Sequence, residues 1–196
     1  LCAMEILRSS DLKSWGKEPF TLGLWVGNRV TPGTTSASKK AIEKLRSDDG
    51  HRSGIASPAQ LTNCPWCGSL INPGRDITAD EDTLRTTLFC GDSHNICEFS
   101  RGQTSLELSR GLPVVVVDEE IYLRPPSMLI ATVDKFAMMA WRPEVGNIFG
   151  HIREECERHG VLSPGHDCGS GHRAKGRLPN AKVNIVKQIR PPDLII

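Results

Sequence analysis

The chain has 196 residues, of which 38% are hydrophobic, 24% charged and 5% aromatic, with 18 Gly, 13 Pro and a formal net charge of +1. This is a soluble, aromatic-poor, loop-rich balance, long enough for one ordinary domain or for part of a domain carrying insertions. No apolar run approaches the ~20 residues a bilayer-spanning helix requires and no signal-peptide pattern opens the chain, so a cytoplasmic protein without a membrane partner is expected.

The first segment, "LCAMEILRSS", predicts a helix ending near Asp11, with Cys2 as a small core residue beside Leu1, Met4 and Ile6. Because it reads as the middle of a helix, and because the chain closes on the apolar run "RPPDLII", the sequence is expected to be an internal piece of a larger protein. "PFTLGLWVGN" (19–28) predicts a strand in which Phe20, Leu22, Leu24 and Val26 alternate with Thr21, Gly23 and Trp25. "TTSASKKAIEKLRSDDG" supplies hydroxyl caps and then a helix with Ala41, Ile42 and Leu45 on one side. "HRSGIASPAQ" reads as a linker.

Beyond it lies the strongest local signal. Seven cysteines is an odd count, which argues against a secreted disulfide framework, and their spacing argues for metal. Cys64-x2-Cys67 is followed by Gly68, and Cys90-x6-Cys97 comes twenty-two residues later. A C-x2-C turn bites one tetrahedral ion, and the glycine lets the backbone fold back on the thiolates. His94 is a spare ligand. A second set, Cys156-x2-His159 and Cys168-x3-His172, has the spacing of a small Cys2His2 site, with His166 as its spare. Four protein ligands close a coordination sphere, so both sites are expected to hold structural Zn2+ and neither to be catalytic.

Between the two sets, "GLPVVVVDEE" imitates a strand ending in magnesium-binding carboxylates. Only eight residues separate Glu120 from Leu129, and two of them are prolines, which is too short for a parallel crossover. Val114 to Val117 is therefore expected to be a hairpin-like or edge strand, with Asp118 and Glu119 structural or solvent-facing carboxylates and not magnesium ligands. Met128 to Ala131 reads as a fully buried strand running into a helix capped by Thr132, with Phe136, Met139 and Ala140 available for packing. Lys135 in its first turn opposes the helix dipole, as if an anion lay beside it. The segment 171–190 holds Arg173, Lys175, Arg177, Lys182, Lys187 and Arg190 without an acid, suited either to phosphates or to solvent.

Taken in order, "CAMEILR", "GLWVGNRVTPGTT", "CPWCG", "CEFSRG", "LPVVVVDEEIY", "PPSMLIATVDKFAMMAW" and "RPPDLII" resemble the first RecA-like domain of a superfamily 2 helicase. More closely, they resemble the DrmA-like helicase component of the DISARM antiphage system. The resemblance implies an α/β fold, a partial RecA-like (P-loop NTPase) parallel sheet with a zinc-ribbon-like insertion. It implies part of RecA-like domain 1 at 1–50 and a zinc-binding insertion at 51–112. A strand and a motif Ib-like helix follow at 113–150, then a second Cys/His loop with the basic segment at 151–189, and at 190–196 the strand leading to motif II. "LIATVDKF" occupies the place of motif Ib, so Thr132 and Lys135 match its nucleic-acid contacts, with Val133 in place of the usual proline. "WVGN" matches a Gly-Gly loop beside the bound strand, with Gly27 kept and Asn28 replacing the second glycine.

The implied partners are nucleic acid, DNA in the first instance and read without regard to sequence, together with the rest of the helicase and other defence-system subunits. ATP and Mg2+ belong to the full-length parent, because this chain contains no G-x-x-x-x-G-K-[ST] and no D-E-x-H box. The competing reading, from a different class, is a stand-alone zinc-ribbon module that binds nucleic acid or protein, without motor activity.

Overall fold

The computed structural model describes residues 1–47, 56–102 and 111–186. The predicted strand at 190–196 and the first half of the linker lie outside these residues.

Helix α1 (Cys2–Ser10) ends at Asp11, as its sequence predicts, and Asp11 caps the short α2 (Leu12–Trp15) by accepting from Ser14 N–H at 3.1 Å. The face α1 buries is polar: Arg8 is fully buried and donates to both carboxylate oxygens of Glu5, at 2.6 and 2.9 Å. Arg8 Nη1 donates to the carbonyls of Gly16 and Lys17, and Glu5 also accepts from Phe20 N–H, so the pair joins α1 to the entry of the first strand.

That strand, β1 (Leu22–Trp25), is the centre of a three-stranded parallel sheet of order β4-β1-β5, with β4 at Val114–Val115 and β5 at Met128–Ala131. Its more deeply buried side is the Gly23/Trp25 side, the reverse of the emphasis the alternation pattern suggested. Trp25 is 2% exposed and donates its indole N–H to the Tyr122 hydroxyl at 3.0 Å. The chain leaves β1 through α3 (Thr35–Ser47), whose first turn is held by Thr34 Oγ1 accepting from Ala37 N–H and by Glu119 accepting from Thr35 N–H. The cysteine-bearing segment follows, with α4 (Pro73–Asp76) and the hairpin β2 (Ile77–Asp80)/β3 (Arg85–Leu88), and it returns the chain to β4.

Two expectations are corrected here. Val114 and Val115 lie at an edge but pair in parallel with β1, not as a hairpin. The strand ends at Val115, so the connection to β5 runs from 116 to 127, long enough to hold α5 (Asp118–Leu123) and cross over β1. Strand β5 is not fully buried: Met128 and Ile130 are 55% and 52% exposed, because no described element covers that side of it. Helix α6 (Val133–Met138) follows β5 directly, then 3-10 turns at Met139–Trp141 and Pro143–Phe149. The described chain ends in a small antiparallel sheet of order β7-β6-β9-β8, from β6 (Glu154–Cys156), β7 (Gly160–Val161), β8 (Gly171–His172) and β9 (Ala181–Ile185). The architecture is mixed α/β, and no helix among the described residues is long and apolar enough to cross a membrane.

Candidate metal centres and a cavity at the strand ends

The first ligand set is built by two turns. Cys64 opens a turn in which Gly68 N–H donates to Cys64 O at 2.9 Å and Cys64 N–H to Ser69 O at 2.8 Å. Gly68 adopts φ +81°, the left-handed conformation the C-x2-C-G pattern anticipates. The second turn is organised by Asp92, whose carboxylate accepts from the backbone N–H groups of His94, Ile96 and Cys97, while its own N–H points at Cys90 Sγ at 3.4 Å. Cys64, Cys67, Cys90 and Cys97 come together with all four sulfurs within 4.8 Å of one another. Cys64 and Cys97 are 3.9 Å apart, Cys67 and Cys90 3.3 Å. Ligands on ~2.3 Å zinc–sulfur bonds lie about 3.8 Å apart along the edges of a tetrahedron. The donor set therefore fits a zinc-sized ion, and His94 is not among the clustered ligands.

The thiols differ in protonation. Burial raises Cys90 to about 11 and pushes Cys97 up as well. Burial works against Cys67 too, but the Ser69 hydroxyl and N–H, with Cys90 and Cys97, hold it down at about 6. Four crowded sulfurs cannot all ionise without a cation, so metal binding here must release protons.

The second ligand set, Cys156, His159, Cys168 and His172, also brings its ligand atoms within 4.8 Å. His159 Nδ1 lies 3.2 Å from Cys168 Sγ and 3.9 Å from Cys156 Sγ, and its Nε2 lies 3.0 Å from the Asp82 carbonyl. The carbonyl accepts only from a protonated Nε2, which leaves Nδ1 free as a ligand with its ring fixed from outside. Burial lowers the His159 pKa, favouring the neutral imidazole that a metal requires. His172 Nε2 is buried without a hydrogen-bond partner, as a ligand atom would be. Both sets could hold a metal ion, and both are compatible with zinc. The spacing in the sequence singles out all eight of the clustered residues, but not the supports of the second set. Asp82 lies at the tip of the β2/β3 hairpin, and Arg124 donates to the carbonyls of Thr83, Leu84 and Arg158. No local pattern marks either residue.

The residues matched to nucleic-acid contacts lie together for the most part. Gly27 and Asn28 follow β1, Lys135 follows β5, and all three line one cavity of about 220 Å3 with Asp118, which follows β4. The cavity thus opens at the carboxyl ends of three parallel strands, where open α/β sheets hold their ligands. Thr132 caps α6 through the backbone, its hydroxyl 3.4 Å from Asp134 Oδ2, and lies outside the lining. Lys135 bonds to Asn28 Oδ1 at 3.0 Å and to the buried Asp118 carboxylate, so a carboxylate already meets the cation that the helix start left unexplained. Burial nonetheless raises the Asp118 pKa, against the pull of Lys135. Trp25, Tyr122, Asp134, Met138 and Arg142 complete the lining, and none of them carried a site signal in the sequence.

No protein-family model matches the chain. It is 31% identical over 188 residues to the DISARM protein DrmA of Bacillus paralicheniformis, an alignment covering 93% of this chain and 15% of that relative. With that identity along nearly its whole length, the chain is related to a part of DrmA, of which it spans about 15%.

Proposed function

We propose that this chain is a zinc-bearing part of a superfamily 2 helicase-like component of a DISARM antiphage system. In it, a partial RecA-like sheet presents Gly27, Asn28, Thr132 and Lys135 to a single strand of DNA, and two structural zinc ions fix the surrounding loops. The identity to DrmA carries the reading. It is supported by the parallel order β4-β1-β5 and by a cavity at the carboxyl ends of those strands. ATP hydrolysis and Mg2+ binding are assigned to other parts of the full protein, and the remaining defence-system subunits are its partners.

Two measurements on the purified 196-residue chain test this reading. Elemental analysis is expected to give about two zinc ions per molecule. Fluorescence anisotropy with single-stranded DNA is expected to show binding whose log K falls linearly with log salt, at about −0.7 per phosphate neutralised. Asn28→Ala and Thr132→Ala are expected to weaken it. Absence of zinc would remove the metal role, and absence of salt-dependent binding would remove the nucleic-acid role.

A further inference from the structure

We infer that the cavity at the strand ends accepts an unstacked base of the bound strand and not one of its phosphates, an inference that rests on the nucleic-acid reading above. The charge of the lining decides between the two. Asp118 and Asp134 are balanced by Lys135 and Arg142, so the cavity carries no net formal charge. Lys135, its innermost cation, is 11% exposed at the side chain and already spends donors on Asp118 and Asn28. A phosphate beside it would face the Asp118 carboxylate at close range in a poorly solvated site, which is strongly unfavourable. A neutral ligand meets no such opposition.

The same carboxylate specifies what the neutral ligand must offer. Asp118 Oδ2 is held by Lys135, whereas Oδ1 is buried with no hydrogen-bond partner. A buried acceptor left unpaired is unfavourable, so a ligand whose N–H reaches it on entering the cavity is favoured. The remaining walls, Trp25, Tyr122 and Met138, suit a flat, mostly apolar body. A cavity of about 220 Å3 falls below the ~300–1,000 Å3 of sites for drug-sized molecules, and so suits a single heterocycle whose sugar and phosphate stay outside. A nucleobase is neutral and planar, and cytosine carries an exocyclic amino group that donates to a carboxylate.

The test compares two ligands on the zinc-loaded wild-type chain: oligodeoxycytidine, and an oligomer of equal length and charge built from abasic tetrahydrofuran residues. The base-bearing strand is expected to bind about tenfold more tightly, within the range that base contacts supply. Asp118→Asn, whose amide oxygen must face the Lys135 donor and so leaves an NH2 in place of the Oδ1 acceptor, and Met138→Trp, which narrows the mouth from the exposed rim, are each expected to abolish most of that difference while the abasic oligomer still binds. Equal binding of the two oligomers by the wild type overturns the base pocket and leaves the nucleic-acid reading standing. A difference that survives in both variants shows that the base sits elsewhere and overturns the assignment. If neither oligomer binds, both readings fall.

Discussion

Gly91 follows Cys90 of the first cluster and has no room for a side chain. A Cβ there would lie 1.8 Å from the Leu70 carbonyl oxygen and 2.8 Å from Asp76 Oδ2, inside any permissible contact. Gly91→Ala must push backbone away from backbone within the turn that carries Cys90, and is expected to destabilise the chain by at least ~1–3 kcal/mol and to weaken metal retention at the first set. Gly68→Ala meets nothing within 4 Å and costs only the left-handed φ, so a larger loss of melting temperature and zinc content in the Gly91 variant checks the comparison. Glu120 poses a different problem, because it is buried and accepts from Thr86 N–H at 2.8 Å. Burial raises its pKa, so the folded chain binds this proton more tightly than the unfolded chain does. Its contribution to stability is then greatest below the ordinary carboxylate range and falls as pH rises through that range towards the raised folded value. Glu120→Gln keeps an acceptor for Thr86 and cannot ionise. Its melting temperature relative to wild type is therefore expected to rise as pH increases through and above the ordinary carboxylate range, and a flat difference would contradict the buried-carboxylate account.

Among the elements, the β2/β3 hairpin has the widest consequences, because it reaches from one ligand set to the other. Its base runs into Cys90, and its tip presents the Asp82 carbonyl to His159 and the Asp82 carboxylate to Lys175, the latter at 2.5 Å. Arg124, at the end of α5, ties that tip to the loop carrying His159. Arg124→Ala is expected to speed zinc release from the second set by about 10–100-fold, the usual effect of losing an outer-shell support, and to leave the first set's release unchanged. A chelator-release trace resolving two phases checks it, and equal acceleration of both phases would show a general loosening instead. The clustering of these Cys and His residues was legible in the sequence, because they stand at the short spacings that metal chemistry would impose. The hairpin's docking was not, since a backbone carbonyl leaves no mark on residue identity. The buried Arg8–Glu5 pair and the buried Trp25 were hidden for a related reason: each is stabilised by partners distant in sequence, Phe20 for Glu5 and Tyr122 for Trp25. The parallel pairing of β4 is not visible from the spacing of Glu120 and Leu129, because the strand ends at Val115 and α5 fits within the connection.

Across the whole molecule, the two ligand sets are embedded differently, and this predicts unequal effects of metal removal. Cys64, Cys90 and Cys97 belong to one continuous core with Ile42 of α3, Ile77 and Leu88 of the hairpin, and Val116 and Val117 beyond β4, with Leu24 of β1 packed against it. Cys156 and Cys168 belong to a separate small cluster with Leu162, against which Val183 packs. Structural zinc in small domains is worth about 10–16 kcal/mol, comparable to the ~5–15 kcal/mol total stability of an ordinary domain. Losing the ion from the first set leaves crowded, buried thiols in the core that also supports the parallel sheet. Losing it from the second set exposes only the terminal antiparallel sheet and its loops. Cys64→Ser is therefore expected to lower zinc content by about one ion and to abolish slow amide exchange in β1 and β4 together with the hairpin. Cys168→Ser is expected to lower zinc content equally but to speed exchange only within β6 to β9 and at the hairpin tip. Slow exchange in β1 that survived loss of the first metal would show that the sheet stands without the cysteine core.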